Sequence, residues 1–534
     1  MVLAALLAAS SAAQDAGPQA GESIYRDGMR SSGEPVTARR DGGRTLSGAE
    51  AACSNCHGRS GLGQIEGKIA VPPISGAYLY HARSKSKGDL DIPYVEGMRT
   101  DRDPYADDSL GRAIRDGVGI DGRPLDYLMP RYDLGAADLE ALIGYMKQMT
   151  PANVPGVTDI DLQFATVMTP DADPVKQAAV LDVLRQYFAD QNVFAAAERP
   201  RMPSSPGSRT RPKVRRRWRL TVWTLTGAPA AWEEELRQHL AREPVFAVIS
   251  GLGGATWEPV HRFCERYGVP CLFPNVDLPV VAEHDFYPLY YSRGVLLEAQ
   301  LLARRIADRN GAAAPRRLVQ VFRPGDVGER AAQALRAELA GSGIDVIDRP
   351  LRNAAGRGAP AGAFDHVGSR DVLVLWLRRP DILQLPSLPA QTSGVFMSGL
   401  MGGLEEAPLP PAWRPVTHMA YPFDLPDKRT VPTDYALGWF ALRHIPVVAA
   451  QTQIDTYLAC SVLSDAVIRI GDLLNRDYLI EIIEQSLGHR VVNGYYPRLS
   501  LAPNERFASK GGYIVQFAAD TGPRLVSETE WLAP

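Results

Sequence analysis

Two kinds of hydrophobic periodicity divide this chain. From residue 162 onward, short apolar runs alternate with stretches of helical period. LQFATVMTP (162–170), WRLTVWTLTG (218–227), VFAVISGLGG (245–254) and VPCLFPNV (269–276) read as buried strands. Between them, PVKQAAVLDVLRQYFADQ (174–191), AAWEEELRQHLAREP (230–244) and WEPVHRFCERYG (257–268) read as helices. The series then repeats: helices over 293–311 and 328–343, strands over 316–325, 344–351 and 371–379, and strand-like pieces over 393–403 and 414–423. Strands alternating with helices of this length predict βαβ units and parallel sheets. Two successive series predict a two-lobed α/β region with a cleft, where a ligand sits at the carboxyl ends of the strands.

The pattern before residue 150 is different. SLGRAIRDGVGIDGRPL (109–125) reads as a helix and a turn. Leu139, Leu142, Ile143 and Met146 recur at helical spacing behind Asp138, which reads as a cap. These pieces predict a small all-α domain. TPANVPGVTDID (150–161) is Pro-rich and aperiodic, so it reads as a linker. The expected division is a signal peptide over 1–13, a small domain over 14–150, a linker over 151–161 and the two-lobed domain over 162–534.

The signal peptide rests on the apolar run Val2–Ala9 and the small residues Ser11-Ala12-Ala13. That run is too short to span a bilayer, and no other stretch reaches ~20 apolar residues. The expectation is a soluble periplasmic protein. A net charge of −3 argues against a nucleic-acid or membrane-surface partner.

Candidate chemistry concentrates in CSNCHGRSG (53–61). A CxxC pair suits zinc or a thioredoxin-like redox site. Zinc wants a second Cys/His pair nearby, and none is found. The immediate His57 points instead to C-x-x-C-H, the attachment sequence of haem c. Cys53 and Cys56 then hold the porphyrin, and His57 is the proximal iron ligand. A low-spin electron carrier needs a sixth ligand. Met129, followed by Pro130 in a loop, is the leading candidate; Met98, Met146, Met149 and His81 compete.

CxxCH, then PPISG (72–76), then MPRY (129–132), in that order, resemble class I c-type cytochromes over roughly 20–150. The resemblance implies one covalent haem c, axial His57 and Met129, and a Pro72 carbonyl that accepts a hydrogen bond from the His57 ring. It reads SGAEAACSNCHG (47–58) as the end of a first helix entering the haem loop.

The remainder, about 160–534, resembles type I periplasmic solute-binding proteins of the branched-chain amino-acid-binding class. The match lies in FAVISGLGGATWEPVHRFCERYGVPCLFPNVDLPV (246–280), FYPLYYSRGVLLEAQLLARRI (286–306) and YLACSVLSDAVIRIGDLLNRDYLIEIIEQ (457–485). It implies a possible small-molecule ligand in the interlobe cleft, with Thr169, Gly254, Thr256, Tyr291 and Arg323 as candidate contacts. Thr256 and the 253–255 amides are expected to offer an anion site. No acidic residue matches the family's amino-group partner, which argues against an amino-acid ligand.

The whole reads as a periplasmic monohaem cytochrome fused to a solute-binding-like domain. The expected partner is a periplasmic dehydrogenase or another cytochrome. Two alternatives stay open: a solute receptor or sensor with an accessory haem, and a haem peroxidase or oxidase. Cys264 and Cys271 lie close enough in sequence to raise a disulfide. The basic stretch 198–219 reads as a solvated insertion or a docking patch for an acidic redox partner.

Overall fold

The computed structural model describes residues 19–66, 69–81, 102–149, 154–197, 216–308, 315, 317–352, 361–369, 371–389, 392, 394–503, 505–518 and 524–534. The expected signal peptide, Met98 and residues 198–215 of the basic stretch lie outside them. Among the described residues no helix is long and apolar enough to cross a membrane. The chain forms two compact units. Among the described residues, one comprises those from 19 to 154 together with Ala466–Ile482; the other comprises those from 155 to 465 and Ile483–Pro534.

The first unit is not all-α. Its helices, over 19–27, Asp107–Asp116 and Ala136–Gln148, accompany a three-stranded antiparallel sheet. In that sheet Thr37–Arg39 lies between Thr45–Ser47 and Arg131–Asp133. The cause is local. Gly42 and Gly43 adopt positive φ and fold the chain back after Arg39, and the Arg40 amide donates to the Arg44 carbonyl at 2.9 Å. Residues 48–51 are therefore a short 3-10 turn after a strand, not the end of a first helix. Leu139, Leu142, Ile143 and Met146 are buried as their spacing predicts, but Asp138 lies inside the first turn and Gly135 is the cap. The helix Asp107–Asp116 ends at Gly117, whose φ of 68° places it in the left-handed region that terminates helices. The core joins Ile24, Tyr25, Leu110, Ile114, Leu142 and Met146 with Cys53 and Tyr132.

The second unit contains two α/β lobes. In the first, five parallel strands run in the order Pro288–Leu289, Cys271–Leu272, Ala247–Ile249, Asp161–Met168, Arg217–Thr224. Arg217 and Arg219, at the end of the basic stretch, pair with Asp161. Cys264 and Cys271 are both buried core side chains and are not joined in a disulfide.

The second lobe has seven strands, in the order Asp345–Pro350, Arg317–Phe322, Asp371–Trp376, Gly394–Ser398, Thr417–Tyr421, Tyr513–Phe517, Leu525–Ser527. The first five are parallel; the edge strand Asp345–Pro350 is half-exposed, whereas every residue of the central Asp371–Trp376 and Gly394–Ser398 is buried, as strands covered on both faces require. The last two are antiparallel, unlike the expected all-parallel sheet. Leu525–Ser527 follows Tyr513–Phe517 with no helix between them, as antiparallel neighbours can. Before reaching them, the chain forms the helix Ala450–Ile470, which packs on the first lobe: Ser250 Oγ donates to Thr456 Oγ1 at 3.0 Å.

Candidate functional site

Two cavities, one in each unit, gather the chemistry-bearing residues. In the first unit a cavity of about 540 Å³ is lined by Cys53, Cys56, His57, Pro72 and Met129, among others. His57 ends the short helix Ser54–His57 and is buried. Its Nδ1 lies 2.9 Å from the Pro72 carbonyl oxygen. A carbonyl can only accept, so Nδ1 carries the proton and Nε2 keeps its lone pair. Burial holds the ring below the ordinary histidine range, which favours that neutral form. Such a ring is ready to bind a metal, with its orientation fixed from behind.

Cys53 is buried, 3.8 Å from the Tyr132 hydroxyl, and burial pushes its thiol up to about 11. Arg40 also lines the cavity, and its Nε is buried without a hydrogen-bond partner. A guanidinium nitrogen left so beside a large, mostly apolar cavity suits a bulky group with an anionic edge. Two thiols, a bare imidazole nitrogen, the thioethers of Met129 and Met146 and this arginine on one cavity fit a haem. Met146, the rival to Met129, is buried in the core and also lines this cavity; Met149 is buried in the core and is not part of the lining, and His81 is exposed.

In the second unit a cavity of about 340 Å³ opens where the strands of both sheets end. Asp171, Gly254 and Asp277 reach it from loops of the first lobe, and Asp326, Arg378 and Phe423 from loops of the second. Asp455 and Tyr496 complete it from the late helical region. Of the five residues expected there, Gly254 and Tyr291 line the cavity. Tyr291 is buried, donates to the Asp455 carbonyl at 2.7 Å and stacks on Tyr496 with ring centroids 5.1 Å apart.

Thr169 lies just behind: its hydroxyl donates to Asp171 Oδ1 at 2.6 Å and accepts from the Gly254 amide at 3.0 Å. Thr256 and Arg323 are not part of the lining. Thr256 Oγ1 accepts from the Glu258 amide at the start of the helix Glu258–Arg266. Arg323 forms a two-pronged pair with Asp381, both contacts at 2.6 Å.

The expected anion site is filled from within the chain. Asp171 Oδ2 accepts from the Ala255 amide at 2.7 Å. A Cβ at Gly254 would stand 2.4 Å from the Asp171 carboxyl carbon, so the glycine is what admits the carboxylate. No acidic residue in the sequence matches the family's amino-group partner, yet Asp171, Asp173, Asp277, Asp326 and Asp455 all line the cavity. Asp171 follows a strand and resembles an ordinary turn residue; its distance in sequence from its partners hid the role.

No protein-family model matches the chain, and no curated protein matches it. Solved structures do. A branched-chain amino-acid ABC transporter protein from Thermus thermophilus with bound valine is 12% identical, with a TM-score of 0.53, covering 70% of this chain and 97% of that one. A substrate-binding periplasmic protein from Ralstonia solanacearum is 14% identical, TM-score 0.49, covering 69% and 100%. A fatty acid ABC transporter substrate-binding protein from Thermomonospora curvata is 13% identical, TM-score 0.48, covering 72% and 95%. At these identities the likeness is one of fold, and it rests on the Thermus structure: the two lobes have the type I periplasmic binding protein fold.

Proposed function

We propose that this protein is an exported, periplasmic solute-binding protein that also carries one covalent haem c for electron transfer. Solute binding is its first task. The observation that carries it is the cavity between the strand ends of the two lobes, whose volume lies in the range of small-molecule sites, ~300–1,000 Å³. The fold likeness supports the same reading, and a binding role needs no catalytic group. The test is calorimetry of the full chain against a library of small metabolites. Saturable binding with a Kd below about 1 mM is expected; silence across the library overturns the reading.

The first unit would hold the haem through Cys53 and Cys56, with His57 and Met129 as iron ligands and Arg40 available to an anionic edge. Haem c supplies reversible one-electron chemistry when bound. The chain's part would be to fix His57 through Pro72, to offer the Met129 thioether on the same cavity and to exclude water with its apolar lining. Met129 on the same cavity favours a carrier over a peroxidase, which needs an open position. A periplasmic dehydrogenase or another cytochrome is the partner this reading calls for.

On a denaturing gel the full chain is expected to stain for haem, and Cys53→Ser with Cys56→Ser to lose the stain. Met129→Ala should lose the weak sulfur-to-iron absorption and lower the potential. A colourless wild-type band from a strain with haem-attachment machinery refutes this half alone.

A further inference from the structure

The cavity of the second unit carries more carboxylates than cations, and one carboxylate is incomplete. Asp171, Asp173, Asp277, Asp326 and Asp455 face Lys176 and Arg378. Most of the acids are satisfied. Arg378 bridges Asp277 and Asp326, each at 2.9 Å. Asp173 accepts from the Val175 and Lys176 amides at its helix start. Asp171 sits on the Ala255 amide and the Thr169 hydroxyl.

Asp455 is the exception. It is 2% exposed. Its Oδ2 accepts from the Tyr496 hydroxyl at 3.2 Å and from the Gln451 side chain, but its Oδ1 is buried with no hydrogen-bond partner. Leaving a buried acceptor unmet is costly, so a donor from a bound molecule would be strongly favoured there.

Two more features define that donor. The 255 amide, the natural seat of a ligand carboxylate, is taken by Asp171. Beside Asp455 the wall is aromatic: Tyr291 stacks on Tyr496, and Phe423 packs against Tyr496 at 5.3 Å. Aromatic faces attract cations.

We infer that this cavity takes a small organic cation without a carboxylate, an alkylammonium or amino alcohol, with its nitrogen at Asp455 and its carbon chain against Tyr291, Tyr496 and Phe423. The inference rests on the solute-binding reading and names what the solute carries. Burial raises the Asp455 carboxyl to about 8, against the lowering pull of Tyr496, Gln451 and the Arg429 charge. An arriving cation therefore replaces a proton at neutral pH, and the surplus of carboxylates favours the exchange.

The test is calorimetry of the full haem-loaded chain with ethanolamine, butylamine and choline, against valine, butyrate and butan-1-ol. At least one cation is expected to bind at least tenfold tighter than every other probe. Asp455→Asn, which keeps the shape and removes the charge, is expected to weaken that cation at least tenfold. Asp171→Ala clears the 255 amide and is expected to let valine bind at least tenfold tighter than to wild type. Binding of valine, butyrate or butan-1-ol with silent cations overturns the inference and leaves solute binding standing. If all six probes are silent and the wider library yields a ligand, its charge decides: an ammonium without carboxylate upholds the inference, anything else ends it. Silence of the whole library removes the solute reading itself.

Discussion

Glu298 lies in the first turn of the helix Val295–Ala307 and has no solvent exposure. The helix start favours a charge there, and Leu400 donates its amide at 2.9 Å while the Ser398 hydroxyl donates as well. Burial outweighs these contacts and raises the carboxyl to about 8. The native protein thus holds this proton more tightly than the unfolded chain does. The stability it brings is full below the unfolded pKa, near 4.5, and is lost as pH rises toward 8. The slope is at most about 1.4 kcal/mol per pH unit. Asp455 acts in the same direction. Glu298→Gln mimics the protonated acid, so it should flatten that fall and stabilise the second unit at pH 8 by a few kcal/mol. Equal pH slopes for variant and wild type in chemical denaturation would refute the assignment. Residues of this kind separate what the sequence reveals from what it hides. Cys53, Cys56 and His57 form one short motif, with Pro72 and Met129 following it in order. Asp171 meets its amide partner 84 residues away, and Asp455 reads as one more polar position on a helix.

Helix pairing in the first unit depends on a missing side chain. The helix over 19–27 meets the helix Ala136–Gln148 at Gly21, where a Cβ would stand 2.1 Å from the Ala141 carbonyl oxygen and 2.7 Å from the Tyr145 Cβ. The first obstacle is backbone and cannot rotate away, so Gly21→Ala must push the helices apart. Overpacking of this kind costs about 1–3 kcal/mol. All eight tryptophans lie in the second unit, so their fluorescence follows that unit, and in the haem-loaded protein we propose, haem absorbance would follow the first. In Gly21→Ala the haem-reported transition should move to lower denaturant while the tryptophan-reported one stays. An unmoved haem transition would mean that the helices do not meet as described. At this scale long elements were legible and short ones were not. The helices and buried strands of the two lobes announce themselves by period. The three-residue strands of the first unit are shorter than one reading window, and their only signal is the Asp41-Gly42-Gly43 turn.

The whole molecule is not assembled in the order of its sequence. The first unit takes residues 466–482 from far along the chain. Two contacts show what this segment does. Asp477 pairs with Arg26 at 3.2 Å across 451 positions. Glu481, 8% exposed, accepts from the Ser60 amide at 2.9 Å and from the Ser60 hydroxyl at 2.5 Å. Ser60 follows His57 in the same loop, and Gly58 is bare where its Cβ would stand 2.8 Å from Glu481 Oε1. One distant carboxylate therefore satisfies the buried donors of the loop that carries the imidazole. No reading of 1–154 alone could have found it, because nothing in CSNCHGRSG asks for an acid. Glu481→Ala leaves the Ser60 amide and hydroxyl buried and unmet, at about 1–3 kcal/mol for each such group. The haem-reported transition should fall accordingly. Glu481→Gln, which keeps one acceptor, should recover part of the loss. Ser60→Ala removes one donor and should cost less than Glu481→Ala, and the two together less than their sum, since they share the same bonds. Strictly additive losses, or a haem transition indifferent to Glu481, would mean that the first unit stands without its distant segment.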